Sequence, residues 1–140
     1  MAERPIVPPG PPDSVKVVLR ATVSPSEDPG KVLAAMRQVL GNCDYQVAEG
    51  AGWITLSSVS SRCLQNLHDQ LRDRHVRDSA RRLMQASMEG NVLSIRINRQ
   101  AAAAGVSALC SSAVESPLGP LNLSVETDSP DQLVDWLTAH

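Results

Sequence analysis

The hydrophobic positions near the start of the chain follow the two-residue period of a β-strand. From Val15 to Val23, apolar side chains occupy every second position, and Lys16 and Arg20 lie between them. Because successive side chains of a strand point to opposite faces, this pattern predicts a strand with one buried face. The same reasoning predicts further strands at Asp44–Glu49, Trp53–Val59, Leu93–Ile97, a run beginning at Val106, and Leu121–Val125.

Turn residues join some of these strands into hairpins. Gly50, Ala51 and Gly52 separate two strand-forming runs and are typical of a hairpin turn. The stretch from Arg99 to Gly105 is interpreted as the connection of a second hairpin.

Helical periodicity fills the intervals between the strands. Asp28 can accept hydrogen bonds from free backbone amides and Pro29 suits a first helical position, so a helix is predicted from there to Gly41. Between Ser60 and Gly90, apolar residues recur at helical spacing and predict two helices or one kinked helix.

Together these elements predict an α+β fold. Single strands and hairpins interspersed with helices favour a two-layer sandwich, with a mainly antiparallel sheet and helices on one face. A capping box over Ser129–Gln132 adds a final helix. The segment from Met1 to Asp13 holds five of the ten prolines and is predicted to be a disordered tail, because proline supports neither a helix nor a central strand. Residues 14–140 are predicted to form a single domain.

The composition is that of a globular protein with few aromatic rings. Of the 140 residues, 42% are apolar and 20% are charged, so the chain can bury a core. Trp53, Trp136 and Tyr45 are its aromatic residues, which argues against a surface that stacks successive bases. The sequence has no pattern of a secretory signal and no apolar run of membrane-spanning length, so a cytoplasmic protein is predicted.

Cysteine and histidine give no sign of a metal site. Cys43, Cys63 and Cys110 are widely spaced and odd in number, so buried, inert thiols are expected. A disulfide between the first two stays open, since intracellular proteins of hyperthermophiles can carry disulfides. The histidines have no carboxylate or cysteine at a spacing typical of a metal site or a nucleophile with its base. We therefore predict no catalytic residue, metal or cofactor.

The strongest charge feature is a basic segment from Arg72 to Arg82. Between Arg62 and Arg99, eight arginines face four acidic residues, a net charge of +4 in a chain whose total is −2. Arginine forks suit phosphate oxygens, so one interpretation is a contact with an RNA backbone. The other is a solvated helix in which acids and arginines pair at i and i+4, each pair contributing about 0.2–0.5 kcal/mol.

A second basic set occupies outward positions of two predicted strands. Lys16 and Arg20 are outward on the first strand and Arg96 on a later one, with Arg99 just beyond it. If all helices cover the other face, these residues either meet an RNA backbone or are simply solvated.

A ligand site is the rival interpretation. The segment Glu115–Pro120 places two prolines and a glycine around one leucine and is interpreted as a rigid loop. Its Glu115–Gly119 part, together with Arg99, is the site expected if the chain is a small-molecule enzyme or a ligand-binding protein.

Six short segments resemble, in their order along the chain, a family of small uncharacterised archaeal proteins. They are Val18–Pro29, Arg77–Leu83, Glu89–Asn91, Asn98–Ala102, Glu115–Pro120 and Val134–Leu137. The resemblance implies an RNA-binding protein associated with the archaeal exosome. It also implies an α+β fold similar to that of the ribosomal protein that holds 5S RNA, and it brings no catalytic residue.

Together with this resemblance, the sequence predicts a non-enzymatic RNA-binding protein that contacts phosphates through arginine-rich surfaces, and the resemblance implies that it is an accessory factor of the exosome. RNA and exosome subunits are the predicted partners, a membrane is not, and a homodimer stays open. The predicted RNA-binding residues are Lys16, Arg20, Arg72, Arg74, Arg77, Arg81, Arg82, Arg96 and Arg99.

Overall fold

The chain forms one six-stranded sheet in which every neighbouring pair of strands is antiparallel. The computed structural model describes residues 15–41, 43–73, 77–106, 108–109 and 120–138, without the side chains of residues 72, 73, 77 and 78. The strand order across the sheet is β2-β3-β1-β6-β5-β4. The strands are β1 (Val15–Thr22), β2 (Gln46–Gly50), β3 (Trp53–Ser58), β4 (Met88–Glu89), β5 (Val92–Ile97) and β6 (Leu121–Thr127).

Apart from the helix after β5, the described helices lie in the regions where the sequence predicts helices. The Asp28 carboxylate accepts from the amide of Gly30 at 2.9 Å, and the first helix, which opens with Pro29, ends before Gly41. The predicted helical region between Ser60 and Gly90 divides into a 3₁₀ turn and two helices. The helices are α1 (Pro29–Leu40), α2 (Gln65–Asp73), α3 (Arg77–Ala86), α4 (Arg99–Ala103) and α5 (Pro130–Leu137), and the 3₁₀ turn is Ser61–Leu64.

The core lies between the helices and one face of the sheet. Val17 and Leu19 of β1 are fully buried. The inward apolar residues of β3, β5 and β6 are buried as well, and all of them join buried helical residues in a single cluster. On the opposite face of the sheet, none of the described residues is buried. The fold is therefore the predicted two-layer α+β sandwich, with one sheet face that the described helices leave open.

The predicted second hairpin returns to β5 at one antiparallel bridge, but its connection is a helix. After β5, the chain forms α4 instead of a turn, because the Asn98 side chain accepts from the amide of Ala101 at 3.0 Å and alanines with high helix propensity follow. Beyond α4, Leu109 pairs with Ile97 in one antiparallel bridge, and residues 107 and 110–119 of the predicted run lie outside the described residues. The two-residue strand β4 was not predicted and takes an edge position beside β5.

Two local predictions are corrected. Cys43 and Cys63 are joined as a disulfide with Cα atoms 5.4 Å apart, so they are not free thiols. Ser129 occupies the N-cap position of α5, but its side chain makes no capping hydrogen bond, so the predicted capping box does not form at its first residue. The prolines of residues 1–13, Cys110 and residues 111–119 lie outside the described residues. Among the described helices, none is long and apolar enough to cross a membrane.

Candidate nucleic-acid interface

Strand register brings Arg20 and Arg96 into one row across the open face. Arg20 on β1 lies opposite Thr55 on one side and Asn122 on the other, and Arg96 on β5 also lies opposite Asn122. We call Thr55, Arg20, Asn122 and Arg96 the arginine row. Because neighbouring strands are about 4.8 Å apart, the Cα atoms of the two arginines are about 10 Å apart. Both are exposed, and neither forms an ion pair within the described part of the chain.

Two further rows of side chains cross the open face closer to the start of β1. The first carries hydroxyl groups and the second carries carboxylates. Beside the arginine row lie three serines: Ser57, Ser124 and Ser94. The next row places Lys16 directly opposite Glu126, with Glu89 further along the same row. Lys16 is four residues from Arg20, or about 13 Å along the strand, a distance beyond one Debye length at physiological salt. The positive charge of Lys16 is therefore offset by Glu126, whereas the arginine row has no carboxylate in it.

Trp53 lies on the other side of the arginine row and was not among the predicted site residues. It is opposite Thr22 on β1 and is partly exposed. The guanidinium carbon of Arg20 is 5.5 Å from the centroid of its ring, within the range of a cation–π contact. The alternation of β3, which places Trp53 on the same face as Thr55, is the sequence pattern that could have found it.

Arg99 lies inside the protein and not on this face. Its side chain is 5% exposed, and its Nη1 donates to both carboxylate oxygens of Glu27, at 2.9 and 2.8 Å, and to the carbonyl oxygen of Thr22 at 2.7 Å. The expectation that Arg99 contacts RNA is corrected: as the first residue of α4, it turns inward and ties α4 to the end of β1 and to the loop before α1.

The Glu27 carboxylate is held in its charged form at this contact. Burial on its own would raise its pKa, but the hydrogen bond from the Ser24 amide and the contact with Arg99 outweigh burial, so the pKa lies below its ordinary value of 4.5. Arg99 and Glu27 therefore form a buried ion pair at neutral pH. The rival ligand site also needed Arg99 together with Glu115–Gly119, and that segment lies outside the described residues.

The described part of the basic segment Arg72–Arg82 belongs to α2 and α3, in the helical layer. In α3, Ala80 and Met84 are buried in the core, and Arg81 pairs with Asp135 of α5 at 2.8 Å. Arg81 also donates to the Thr138 hydroxyl at 3.2 Å, whereas Arg82 is exposed. Three predicted residues of this segment have side chains outside the described part of the chain: Arg72, Arg74 and Arg77. Among the described side chains, Arg81 and Arg82 therefore lie in the helical layer, and Arg20 and Arg96 lie on the open face.

The described residues offer no metal centre. They contain no group of three or more histidine, cysteine, aspartate or glutamate side chains that could hold a metal ion. The chemistry displayed on the open face is instead that of paired cationic forks flanked by an amide, small hydroxyl groups and one indole ring. These groups are the donors that contact phosphate and sugar oxygens in nucleic-acid complexes.

Solved structures of other proteins share this fold. A UPF0201 protein from Methanococcus jannaschii superimposes with a TM-score of 0.74 at 21% identity, over 89% of this chain and 93% of that one. A DUF54 protein from Methanothermobacter thermautotrophicus gives a TM-score of 0.60 at 19% identity, over 89% and 94% of the two chains. At these identities, the similarity concerns the fold alone.

Sequence relatives are similar to this chain over most of its length. A UPF0201 protein of Saccharolobus solfataricus is 38% identical over 132 residues, which cover 90% of each chain. A UPF0201 protein of Sulfurisphaera tokodaii is 35% identical over 126 residues, covering 88% of this chain and 86% of the relative. A family model described as RNA binding matches residues 16–115, more than half of the chain. With this coverage and identity, the chain belongs to the archaeal UPF0201 family.

Proposed function

We propose that this protein binds RNA through the open face of its sheet, and that the arginine row contacts the phosphate backbone. The observation that carries the proposal is the alignment of Arg20 and Arg96 in one exposed row, flanked by Thr55 and Asn122 and without a carboxylate. Planar guanidinium groups bind phosphate oxygens in a bidentate manner, and a backbone contact of this kind is independent of base sequence.

The family model supports the choice of RNA as the ligand. It matches residues 16–115, a span that contains both arginines of the row and bears the description RNA binding. The serines beside the row add hydroxyl donors and acceptors that can reach ribose 2′-hydroxyl groups. Sheet faces that bind RNA need a side without helices, and the α+β sandwich leaves one.

The decisive experiment is the salt dependence of RNA binding. A double variant with Arg20→Gln and Arg96→Gln is compared with the wild type by fluorescence anisotropy on a labelled single-stranded RNA. The matched control carries Lys31→Gln and Arg37→Gln, which remove the same charge from exposed positions of α1, in the helical layer.

Binding through phosphates predicts that log Kd depends linearly on log salt concentration, with a slope of about 0.7 per phosphate contact for a single strand. The Arg20/Arg96 variant should therefore reduce the slope by about 1.4, and the Lys31/Arg37 control should leave the slope near that of the wild type. Absence of RNA binding at low salt, or equal slopes for the two variants, would overturn the proposal.

A narrower role forms part of the same proposal. The resemblance to a family associated with the archaeal exosome suggests an accessory RNA-binding factor without catalysis, acting in the cytoplasm, with a fold related to that of the ribosomal protein that holds 5S RNA. Co-purification of the tagged chain with exosome subunits, repeated after ribonuclease treatment, tests for a protein contact. Sedimentation of the purified chain tests the open prediction of a homodimer.

A further inference from the structure

Trp53 is held on the open face by a glycine of the neighbouring strand. Gly50 on β2 lies opposite Trp53, and a Cβ atom on Gly50 would collide with Cε2 and Nε1 of the indole. The ring therefore occupies the space above the backbone of β2 that a side chain would fill. Any larger residue at this position would displace the ring from the surface of the sheet.

Arg20 is the member of the arginine row that lies next to this ring. Its guanidinium carbon lies 5.5 Å from the indole centroid, so the two groups are neighbours on the same face. Indole and guanidinium groups both stack on nucleobases, and a guanidinium can at the same time donate to a phosphate. Trp53 and Arg20 thus form a stacking surface at the edge of the proposed backbone contact.

The other aromatic residues of the chain are used for packing. Trp136 is 5% exposed, and its ring is stacked on His68 with centroids 4.7 Å apart. Tyr45 is partly buried against the core. One indole ring on the open face is enough for one base and not for a series of bases.

From this arrangement we infer that the open face binds single-stranded RNA and that Trp53 stacks one unpaired base, an inference that rests on the proposed function. In an A-form duplex, the faces of the bases are covered by their neighbours, so the ring finds a partner only in unpaired RNA. The arginine row then contacts the phosphates next to the stacked nucleotide. If Trp53 served only to cover Gly50, replacing it would not change the relative affinity for single-stranded and duplex RNA.

The test measures the affinities of the full chain for a 12-nucleotide oligouridine and a 12-base-pair RNA duplex. Stacking predicts that Trp53→Leu weakens binding to the single strand by about 5- to 150-fold, the range of one base stacked on an aromatic ring. Trp53→Phe, which keeps a ring, should weaken binding to the single strand less than Trp53→Leu does. Neither variant should change the affinity for the duplex. Val59→Ala removes a side chain that is 80% exposed outside the site and should match the wild type for both ligands.

Intrinsic fluorescence gives a readout that does not depend on the Leu variant folding. Since Trp136 is buried, oligouridine should quench the emission of Trp53 in the wild type and leave the emission of Trp53→Phe unchanged. Equal losses of affinity for single strand and duplex in Trp53→Leu, or no quenching in the wild type, would overturn the inference. If the slope change from the Arg20/Arg96 pair is still observed in that case, the proposed RNA-binding function stands and only the base-stacking site is lost. If the wild type binds no RNA, both fail.

Discussion

Arg96 and Arg99 lie three residues apart and have opposite environments. Arg96 points outward from β5 and has no ion pair in the described chain, whereas Arg99 is buried against Glu27 and the carbonyl of Thr22. The same residue type is therefore exposed on one side of the sheet and forms a structural cross-link on the other. What separates the two environments is a carboxylate within hydrogen-bonding reach.

Arg81 falls between these extremes. It pairs with Asp135, but both side chains are about half exposed, 42% and 51%, so water competes with the contact. Its guanidinium contributes little to stability and is also partly occupied by its partner. The count of arginines in a segment thus does not reveal which of them are paired with carboxylates.

Replacing Arg99 should have the largest effect on folding. Arg99→Met removes one partner of a buried ion pair and leaves the Glu27 carboxylate without its cation, so we expect the free energy of unfolding to fall by about 3 to 5 kcal/mol. Arg96→Met is the matched control and should change it by less than about 0.5 kcal/mol. Urea denaturation followed by circular dichroism measures both, and equal destabilisation would remove the distinction between the two arginines.

Acid should weaken the buried pair by protonating Glu27. Its pKa in the folded chain is below the ordinary 4.5, so the stabilisation is fully present above pH 4.5 and is lost as the pH falls through the folded-state pKa. In Glu27→Gln, this part of the acid dependence should disappear. The free energy of unfolding is measured for both proteins between pH 6 and the onset of acid denaturation, and it should fall more steeply in the wild type. Parallel curves would show that Glu27 does not contribute to the pH dependence of stability.

The exposed pair of α3 and α5 should contribute little. Arg81→Gln is expected to lower the free energy of unfolding by no more than about 1 kcal/mol. A double-mutant cycle with Asp135→Asn isolates the interaction between the two side chains. Because Arg81 is on the helical layer, we also expect the salt slope of RNA binding to stay at its wild-type value. If the salt slope of Arg81→Gln were as low as that of an Arg96 variant, the RNA would also contact the helical layer.

The smallest effect on stability, and a clear one on binding, is expected at the arginine row. Arg96→Gln should leave the melting temperature unchanged and reduce the salt slope by about 0.7, the value for one lost phosphate contact on a single strand. Lys16→Gln should reduce it by less, because Glu126 lies directly opposite Lys16. A greater reduction for Lys16→Gln would place the RNA at the other end of the strands.

Local patterns were sufficient to predict the layers of the fold. The alternation in β1 and the cap at Asp28 are decided by neighbours within a few residues, and both predictions are confirmed. The connection after β5 has a local cause as well. The Asn98 side chain caps α4, where the connection of a hairpin was predicted.

The site depended on contacts that sequence does not reveal. Arg99 is 72 residues from Glu27, so its burial could not be inferred from its surroundings in the chain. The alignment of Arg20 with Arg96 requires β6 to lie between β1 and β5, a strand order that differs from the sequence order. The open face itself was predicted, because outward positions were identified by alternation. Which cations on that face remain without a carboxylate had to come from the register.

The disulfide also determines what a protease could do to this protein. Cys43 and Cys63 are 20 residues apart and enclose the whole β2–β3 hairpin, whose turn residues Ala51 and Gly52 are exposed. Cleavage of the peptide bond after Gly52 would break the polypeptide, but the disulfide would keep the two fragments covalently joined. Trp53 would then be the first residue of the second fragment. Closing a ring of this size also lowers the entropy of the unfolded chain, by an amount equivalent to about 3 kcal/mol. The nicked protein would run as one species on a non-reducing gel and as two after reduction.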